Sequence, residues 1–185
     1  MFHVPQGCPE WVRVEQQFQI TMPSVYIQEM LRIQNIWLWE RYVQEKNGIE
    51  KFKGMANEKE LFHGTRSHDP NLIYDSEVGF DMRFSAQGMW GQANYFAVNA
   101  KYSHSYAHTN ALGQCEIFLA KVITGDSYEC PSDRSLRMPP LKQGGSGQLM
   151  LSQVRYDTVT GTTGGSQVYM TYDNQKAYPA YLIRY

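Results

Sequence analysis

Cysteine is scarce in this sequence. The three present, Cys8, Cys115 and Cys130, are widely spaced, with no CxxC pair and no Cys/His cluster at zinc spacing. That argues against a structural zinc site and a disulfide framework, and it implies a reduced, intracellular protein, cytoplasmic or nuclear. Long apolar runs are also lacking. No stretch approaches the roughly 20 residues that span a bilayer. The opening MFHVPQGCPEW has neither a basic n-region nor an apolar h-region, so neither a membrane anchor nor a signal peptide is expected. Charge of one sign is missing as well. The net charge is −1 with no long basic run, which leaves nucleic-acid binding without electrostatic support. No GxGxxG follows a candidate strand and no GxxxxGK[ST] occurs, which argues against Rossmann and P-loop chemistry. Repeats and low-complexity blocks are absent.

What is present reads as one folded domain over residues 1–185, with 42% hydrophobic and 19% charged residues. Thirteen tyrosines supply side chains that pack and still offer a hydroxyl. Residues 9–21 alternate in part and suggest an edge strand. Ser24 suggests a helix N-cap, and Ile27, Met30, Leu31, Gln34, Trp37, Leu38 and Arg41 fall on one side at helical spacing. A helix over 25–46 is therefore expected, ended by Asn47-Gly48. Beyond Leu61 short apolar runs alternate with Gly, Pro, Asn and Asp. Strands are expected at 60–63, 94–98, 115–123, 149–155, 167–172 and 181–184. The loops at 81–93, 132–148 and 157–166 are long enough to suggest lids or binding loops. Helix first and strands after reads as α+β.

Three segments carry the functional signal. They are Leu61-Phe62-His63-Gly64-Thr65; Gly91-Gln92-Ala93-Asn94-Tyr95-Phe96-Ala97 with Lys101 to Tyr106; and Val168-Tyr169-Met170-Thr171-Tyr172-Asp173 leading into Ala177 to Ile183. In this order and spacing, from about residue 9 to the end, the chain resembles the poly(ADP-ribose) polymerase catalytic domain. That is the diphtheria-toxin-like branch of the ADP-ribosyltransferases, and the upstream LRIQNIWLWERY resembles its mono-transferring members related to the TCDD-inducible polymerase. The resemblance implies two packed, mostly antiparallel sheets around an NAD+ cleft, with a flanking N-terminal helix. It implies NAD+ as donor, no metal, and protein acceptors that can include the enzyme itself.

The resemblance also implies roles. Gly64 would pair through its backbone with the nicotinamide carboxamide, His63 would hold the adenosine ribose and Thr65 would assist. Tyr95 and Tyr106 would sandwich the nicotinamide ring, and Ser103 would donate to its carboxamide. Phe96 and Ala97 complete that strand motif and would also contact the donor. The segment 81–90 would cover the donor, with Gly88 and Gly91 suiting a mobile lid, and Phe80, Asp81 and Arg83 would line the adenosine end. Ala93 stands where the family usually has a second glycine, which would matter if a positive φ were needed there.

Polymerising members carry a glutamate just before the tyrosine that opens the last motif. Here an ungapped register puts Val168 in that place, and a one-residue gap would put Gln167 there. Neither is acidic. A hydroxyl acceptor needs such a group to become nucleophilic, so chain elongation should fail. An acceptor bringing its own charge, a carboxylate or thiolate, could still attack. Arg155 to Val159 resembles the family's segment near the acceptor side. Arg134 to Lys142 reads as an acceptor-facing loop or a solvated turn. Three alternatives stay open: an inactive NAD+- or ADP-ribose-binding module, an enzyme modifying nucleic-acid ends, and an NAD+ glycohydrolase. Intact His63, Tyr95 and Ser103 argue against the first. The sequence shows no helical regulatory domain ahead of the core, so activity without a DNA signal is expected. Tyr185 falls just after the last candidate strand, as at a domain boundary.

Overall fold

The computed structural model describes residues 1–142 and 154–185. The chain runs β1 (Phe2–His3), α1 (Pro9–Gln19), β2 (Glu29–Arg32), α2 (Ile36–Lys53), β3 (Glu58–His63), α3 (Asn71–Tyr74), β4 (Gln87–Gly88), β5 (Gly91–Gln92) and β6 (Asn94–Ala97). It continues with α4 (Ala100–His104), β7 (His108–Thr109), β8 (Cys115–Ile123), β9 (Ser127–Glu129), β10 (Thr158–Thr163), β11 (Ser166–Thr171) and β12 (Ala177–Arg184). Short 3-10 turns lie at Met82–Phe84 and Asn174–Lys176.

One hydrogen-bonded path, β1-β2-β12-β8-β3-β6-β11-β10-β9, contains nearly all the strands, and β4 pairs with β5 alone. Every pairing is antiparallel except β9 with β10. The path is weakest at its middle. β3 and β8 share six register pairs, whereas β3 and β6 share one, Phe62↔Ala97. The main sheet of this α+β fold is thus two mostly antiparallel arms meeting at a narrow joint. We call β1-β2-β12-β8-β3 the scaffold arm and β6-β11-β10-β9 the site arm.

The scaffold arm is made by β8, whose run CEIFLAKVI lacks alternation because both its faces are buried. Ile117 and Leu119 join one apolar cluster with Trp11, Phe18, Leu38 and Tyr42; Phe118 and Ala120 join another with Leu31, Phe80 and Phe96.

The N-terminal third corrects the sequence reading. Residues 9–19 form a helix, not an edge strand. Pro9 sits in its first turn, the Cys8 sulfur accepts from the Trp11 amide at 3.4 Å, and Trp11, Val14 and Phe18 face the core. The helix expected from Ser24 starts twelve residues later. Glu29–Arg32 is a strand between β1 and β12. Its Met30 and Leu31 fall in different clusters on the two faces, so their apparent helical stripe was coincidence. Asn35 caps α2 by accepting from the Leu38 amide at 3.3 Å. Asn47-Gly48 does not end the helix, which runs on to Lys53 and stops at Gly54, φ 100°. Of the strand expected at 149–155, residues 149–153 lie outside the described residues; Arg155 makes an isolated bridge to Leu141.

Candidate active site

The joint between the arms gathers the residues of the first two motifs. His63 ends β3 beside the Phe62↔Ala97 pair. Its Nδ1 lies 2.7 Å from the Tyr95 carbonyl oxygen on β6. A carbonyl only accepts, so Nδ1 carries the proton and Nε2 is left as an acceptor. Burial pushes the imidazole pKa down to about 4, against a weaker upward pull from that hydrogen bond. His63 is therefore neutral at pH 7, and Nε2 is poised to accept from a hydroxyl. Phe80 meets the ring edge-on at 5.0 Å and Phe96 lies at 5.3 Å. Both phenylalanines are buried. Expected to touch the donor, they are placed beneath His63 instead and hold it.

Gly64 follows against α4. A Cβ there would collide with the Tyr106 carbonyl and press on the Ser103 carbonyl, so only glycine allows this approach. Ser103 is buried in α4. Gly64, Ser103 and Tyr106 are thus brought together, as the motif spacing implies. Thr65 is turned inward, its hydroxyl donating to the His68 carbonyl at 2.6 Å. Tyr106 carries two neighbours. Tyr102 tilts against it at 5.3 Å, and the Arg66 guanidinium lies 4.6 Å from its ring centroid. Arg66 has φ 56° and is held there by its amide donating to the Tyr106 carbonyl at 2.8 Å. Sequence reasoning passed over Arg66, and nothing in its local sequence marks a left-handed arginine.

Tyr95 reaches the other way. Its hydroxyl accepts from the Trp90 amide at 2.8 Å and donates to the Gly91 carbonyl at 2.9 Å. Burial pushes its pKa up to about 12, so it stays a neutral phenol. The segment 81–90, expected to be a mobile lid, is consequently fastened at Trp90. Gly91 has φ 77° with its Cα against the Leu136 carbonyl, while Ala93 is not among the residues with positive φ. The left-handed step falls on Gly91, and the alanine strains nothing. Asp81 accepts from the Arg83 guanidinium at 2.9 Å and from the Arg83 amide at 3.0 Å. Their pairing closes the 3-10 turn, and Arg83 itself is largely exposed.

Val168 lies on β11 opposite Ala97 of β6 and Gly161 of β10. Paired residues share a face, and Met170 pairs with Tyr95, so Val168, Met170, Ala97 and Tyr95 look the same way. Gln167 points to the opposite face, where its side chain reaches the Thr160 hydroxyl at 3.3 Å. Val168 is fully buried in an apolar cluster with Trp90, Ala97, Val159 and Met170.

Asp157, in the segment likened to the acceptor side, is a structural hub. It is buried, receives Lys53 Nζ at 2.6 Å and the Asp126 amide at 3.0 Å, and lies 3.8 Å from Lys176. Arg134–Lys142 folds back on itself: the Arg137 guanidinium donates to the Arg134 carbonyl at 3.2 Å. Among the described residues no cluster of His, Cys, Asp and Glu is placed to hold a metal, and no helix is long and apolar enough to cross a membrane.

A neutral histidine with Nε2 left as an acceptor, a glycine pressed against the backbone of a buried serine, and the rings of Tyr95, Tyr102 and Tyr106 thus lie about the joint between the arms. A family model of the poly(ADP-ribose) polymerase catalytic domain matches residues 9–185, and the chain belongs to that family. It is 31% identical over 192 residues to a Dictyostelium discoideum protein described as "Probable poly [ADP-ribose] polymerase", covering 100% of this chain and 52% of that one. It is 31% identical over 180 residues to protein mono-ADP-ribosyltransferase PARP12 of Mus musculus, covering 95% of this chain and 24% of that one. It is 31% identical over 182 residues to protein mono-ADP-ribosyltransferase PARP14 of Homo sapiens, covering 96% of this chain and 10% of that one. The chain therefore spans about half the length of the first relative and a quarter or less of the other two.

Proposed function

We propose that this chain transfers a single ADP-ribose unit from NAD+ to a side chain of a protein acceptor and releases nicotinamide. The observation that carries the one-unit reading is Val168: a non-acidic, buried residue stands on the same face of the sheet as Tyr95, where polymerising members carry glutamate. The similarity to proteins named mono-ADP-ribosyltransferases supports the same reading.

In this scheme His63 Nε2 accepts from the adenosine ribose, and the Gly64 backbone pairs with the nicotinamide carboxamide. Ser103 donates to that carboxamide, and Tyr95 and Tyr106 bound the ring. The bond from ribose to nicotinamide nitrogen breaks with its electron pair leaving on nicotinamide, through an oxocarbenium-like state. An acceptor carboxylate or thiolate, already deprotonated, closes the new bond from the opposite face. No general base is required of Val168. A neutral hydroxyl acceptor would need one, so the growing chain's own ribose is a poor acceptor. Self-modification falls within the same chemistry. The three free cysteines fit a reducing compartment, cytosol or nucleus.

The test is the purified chain with labelled NAD+, reading label on protein by gel and free nicotinamide. A discrete labelled band is expected from the wild type. A high-mass smear would overturn the one-unit reading. Nicotinamide release without labelled protein would replace transfer by glycohydrolysis. Neither release nor label would leave a binding module. Label recovered on an added oligonucleotide instead of protein would move the acceptor class to nucleic acid.

A further inference from the structure

The hairpin that covers the donor site cannot hold itself. Its strands β4 and β5 have two residues each, and so short a pair is not stable alone in water. Its other residues are mostly exposed or half-exposed: Met89, next to Trp90, is 39% exposed, yet Trp90 is only 2% exposed. Four separate attachments converge on that one residue. The Trp90 amide donates to the Tyr95 hydroxyl at 2.8 Å. The Trp90 carbonyl accepts from the Tyr172 hydroxyl at 2.6 Å. The indole Nε1 donates to the Cys130 carbonyl at 3.0 Å. The indole ring lies on Gly161, where any Cβ would overlap it. Gly161 is the cross-strand partner of Val168.

Burial alone would explain the indole. It would not explain why both backbone groups of Trp90 go to tyrosine hydroxyls, or why one of them, Tyr95, has its own backbone carbonyl on His63. The chain Tyr172, Trp90, Tyr95, His63 runs from the site arm through the hairpin to the scaffold arm. We infer that Trp90 is a positioning residue for the donor: it fixes the 87–92 hairpin, and through it the Tyr95 ring, at the height at which they close on NAD+. This rests on the donor-site reading above. It adds that the cover is set in place before NAD+ arrives, so that little ordering remains to be done on binding.

Beyond the indole is an open space of about 420 Å³, lined by Met89, Cys130 and Thr162 among others. Deleting the indole would let water from there into the apolar cluster, so Trp90→Ala would confuse positioning with folding. Milder variants separate the two. Tyr172→Phe removes one hydrogen bond to Trp90 and no packing. Gly161→Ala pushes the indole off its seat. Trp90→Phe keeps a ring and loses the Nε1 bond.

The experiment is calorimetric binding of a non-cleavable carbocyclic NAD+ analogue to wild type and the three variants, with melting temperatures alongside and KM and kcat for NAD+ cleavage. Tyr172→Phe and Gly161→Ala should each weaken analogue binding by about tenfold, the equivalent of one lost hydrogen bond to a preorganised site. KM should rise more than kcat falls, and Trp90→Phe should lie between them and wild type. Variants that melt earlier but bind the analogue like wild type would show a merely structural role and overturn the inference. A wild type that does not bind the analogue would overturn the donor-site reading, and this inference with it.

Discussion

The two arms of the sheet solve the burial of polar groups in different ways. The scaffold arm and the helices over it use charge. Glu58 receives Lys46 and Lys121, Arg184 bridges Glu29 and Glu116, and Arg32 pairs with Glu10. In the site arm, β6, β10 and β11 hold no Asp, Glu, Lys or Arg at all. There the work falls to hydroxyls. Thr158 donates to the Thr124 carbonyl at 2.8 Å, Thr160 to the Val168 carbonyl at 2.9 Å, and Tyr95 and Tyr172 hold the hairpin. Hydroxyls satisfy the backbone without adding a field. The difference teaches where the chemistry is protected. On the proposed reading the cation-like reacting carbon would form beside three strands without formal charge, leaving the charge balance of the transition state to the donor's phosphates and the incoming acceptor. Charge here is concentrated on the scaffold arm, with Glu129 of β9 the exception within the site-arm strands.

The largest effect should come from the ionic link at Asp157, which ties the start of β10 to α2 and to the approach to β12. Asp157 immediately precedes β10, while Lys53 ends α2 and Lys176 precedes β12. Asp157→Ala would leave Lys53 and the Asp126 amide facing an empty buried site, while Lys176 keeps Glu45, and removing the buried partner of such a pair costs on the order of 3–5 kcal/mol. Denaturant unfolding should show that loss. A loss under about 1 kcal/mol would mean that the arms are held by packing alone and that the charged frame is decoration.

Next comes a charge introduced into the three strands that have none. Val168→Glu would bury a carboxylate among Trp90, Ala97, Val159 and Met170 with no ion to meet it. We expect a stability loss of about 3 kcal/mol. Desolvation would raise the carboxyl pKa, leaving much of it protonated at neutral pH. The product should therefore remain a single unit. Polymer from Val168→Glu alone would show that the apolar surroundings do not matter and that the glutamate is sufficient.

How much of this was legible beforehand divides along the same line. β8 is read from sequence with its observed bounds, because a continuous apolar run flanked by polar turns has few other solutions. The motif strands β3, β6 and β11 fall within two residues of their expected bounds, since each is a short apolar run inside a motif. The N-terminal third was misread because Met30, Leu31 and Ile27 satisfy a helical period by chance, and only pairing with β12 reveals a strand. At the site, the meeting of His63, Gly64, Ser103 and Tyr106 was legible from motif spacing. The parts played by Arg66, Trp90 and Tyr172 were not, because each depends on a hydrogen bond across the fold rather than on neighbours in sequence. A lone tryptophan between Gly88 and Gly91 was the one available hint.

His63 belongs to the scaffold arm yet serves the site, and its loss should be felt in activity rather than folding. Removing an acceptor aimed at a donor hydroxyl should lower kcat/KM for NAD+ cleavage about a hundredfold in His63→Ala. The pH profile sharpens the point. An ordinary histidine titrates near 6.5, but burial holds His63 down at about 4. Its neutral acceptor form should persist, and kcat/KM should carry no acid limb between pH 7 and about 5. The same depressed value affects stability. As pH falls from about 6.5 toward 4 the unfolded chain takes up the proton first, so this residue's contribution favours folding at neutral pH and is lost across that window. An acid limb near 6.5 that disappears in His63→Ala would show a solvent-exposed imidazole and break the buried-acceptor picture.

The smallest effect belongs to the charged face of the scaffold arm. Burial alone would raise the Glu58 pKa. The Tyr42 hydroxyl at 2.7 Å, with Lys121 and Lys46 each at 3.0 Å, outweighs burial and holds the carboxyl below its usual range. A depressed carboxylate stabilises the fold above its unfolded pKa and loses that contribution as pH falls through the folded value. Glu58→Gln keeps the shape and an acceptor for Tyr42 but removes the charge from both lysines. About 1 kcal/mol should be lost at pH 7, since the pairs are partly open to water. The difference from wild type should shrink toward zero as the pH falls through the depressed folded-state pKa, below which wild-type Glu58 is itself protonated. NAD+ affinity should not change, because β8 separates this cluster from β12 and the β3–β6 joint lies at the far end of the strand. A shift in NAD+ affinity from so conservative a change would mean that strain in the scaffold arm passes through Phe62↔Ala97 into the site, and the division between a charged frame and the uncharged strands β6, β10 and β11 would no longer hold.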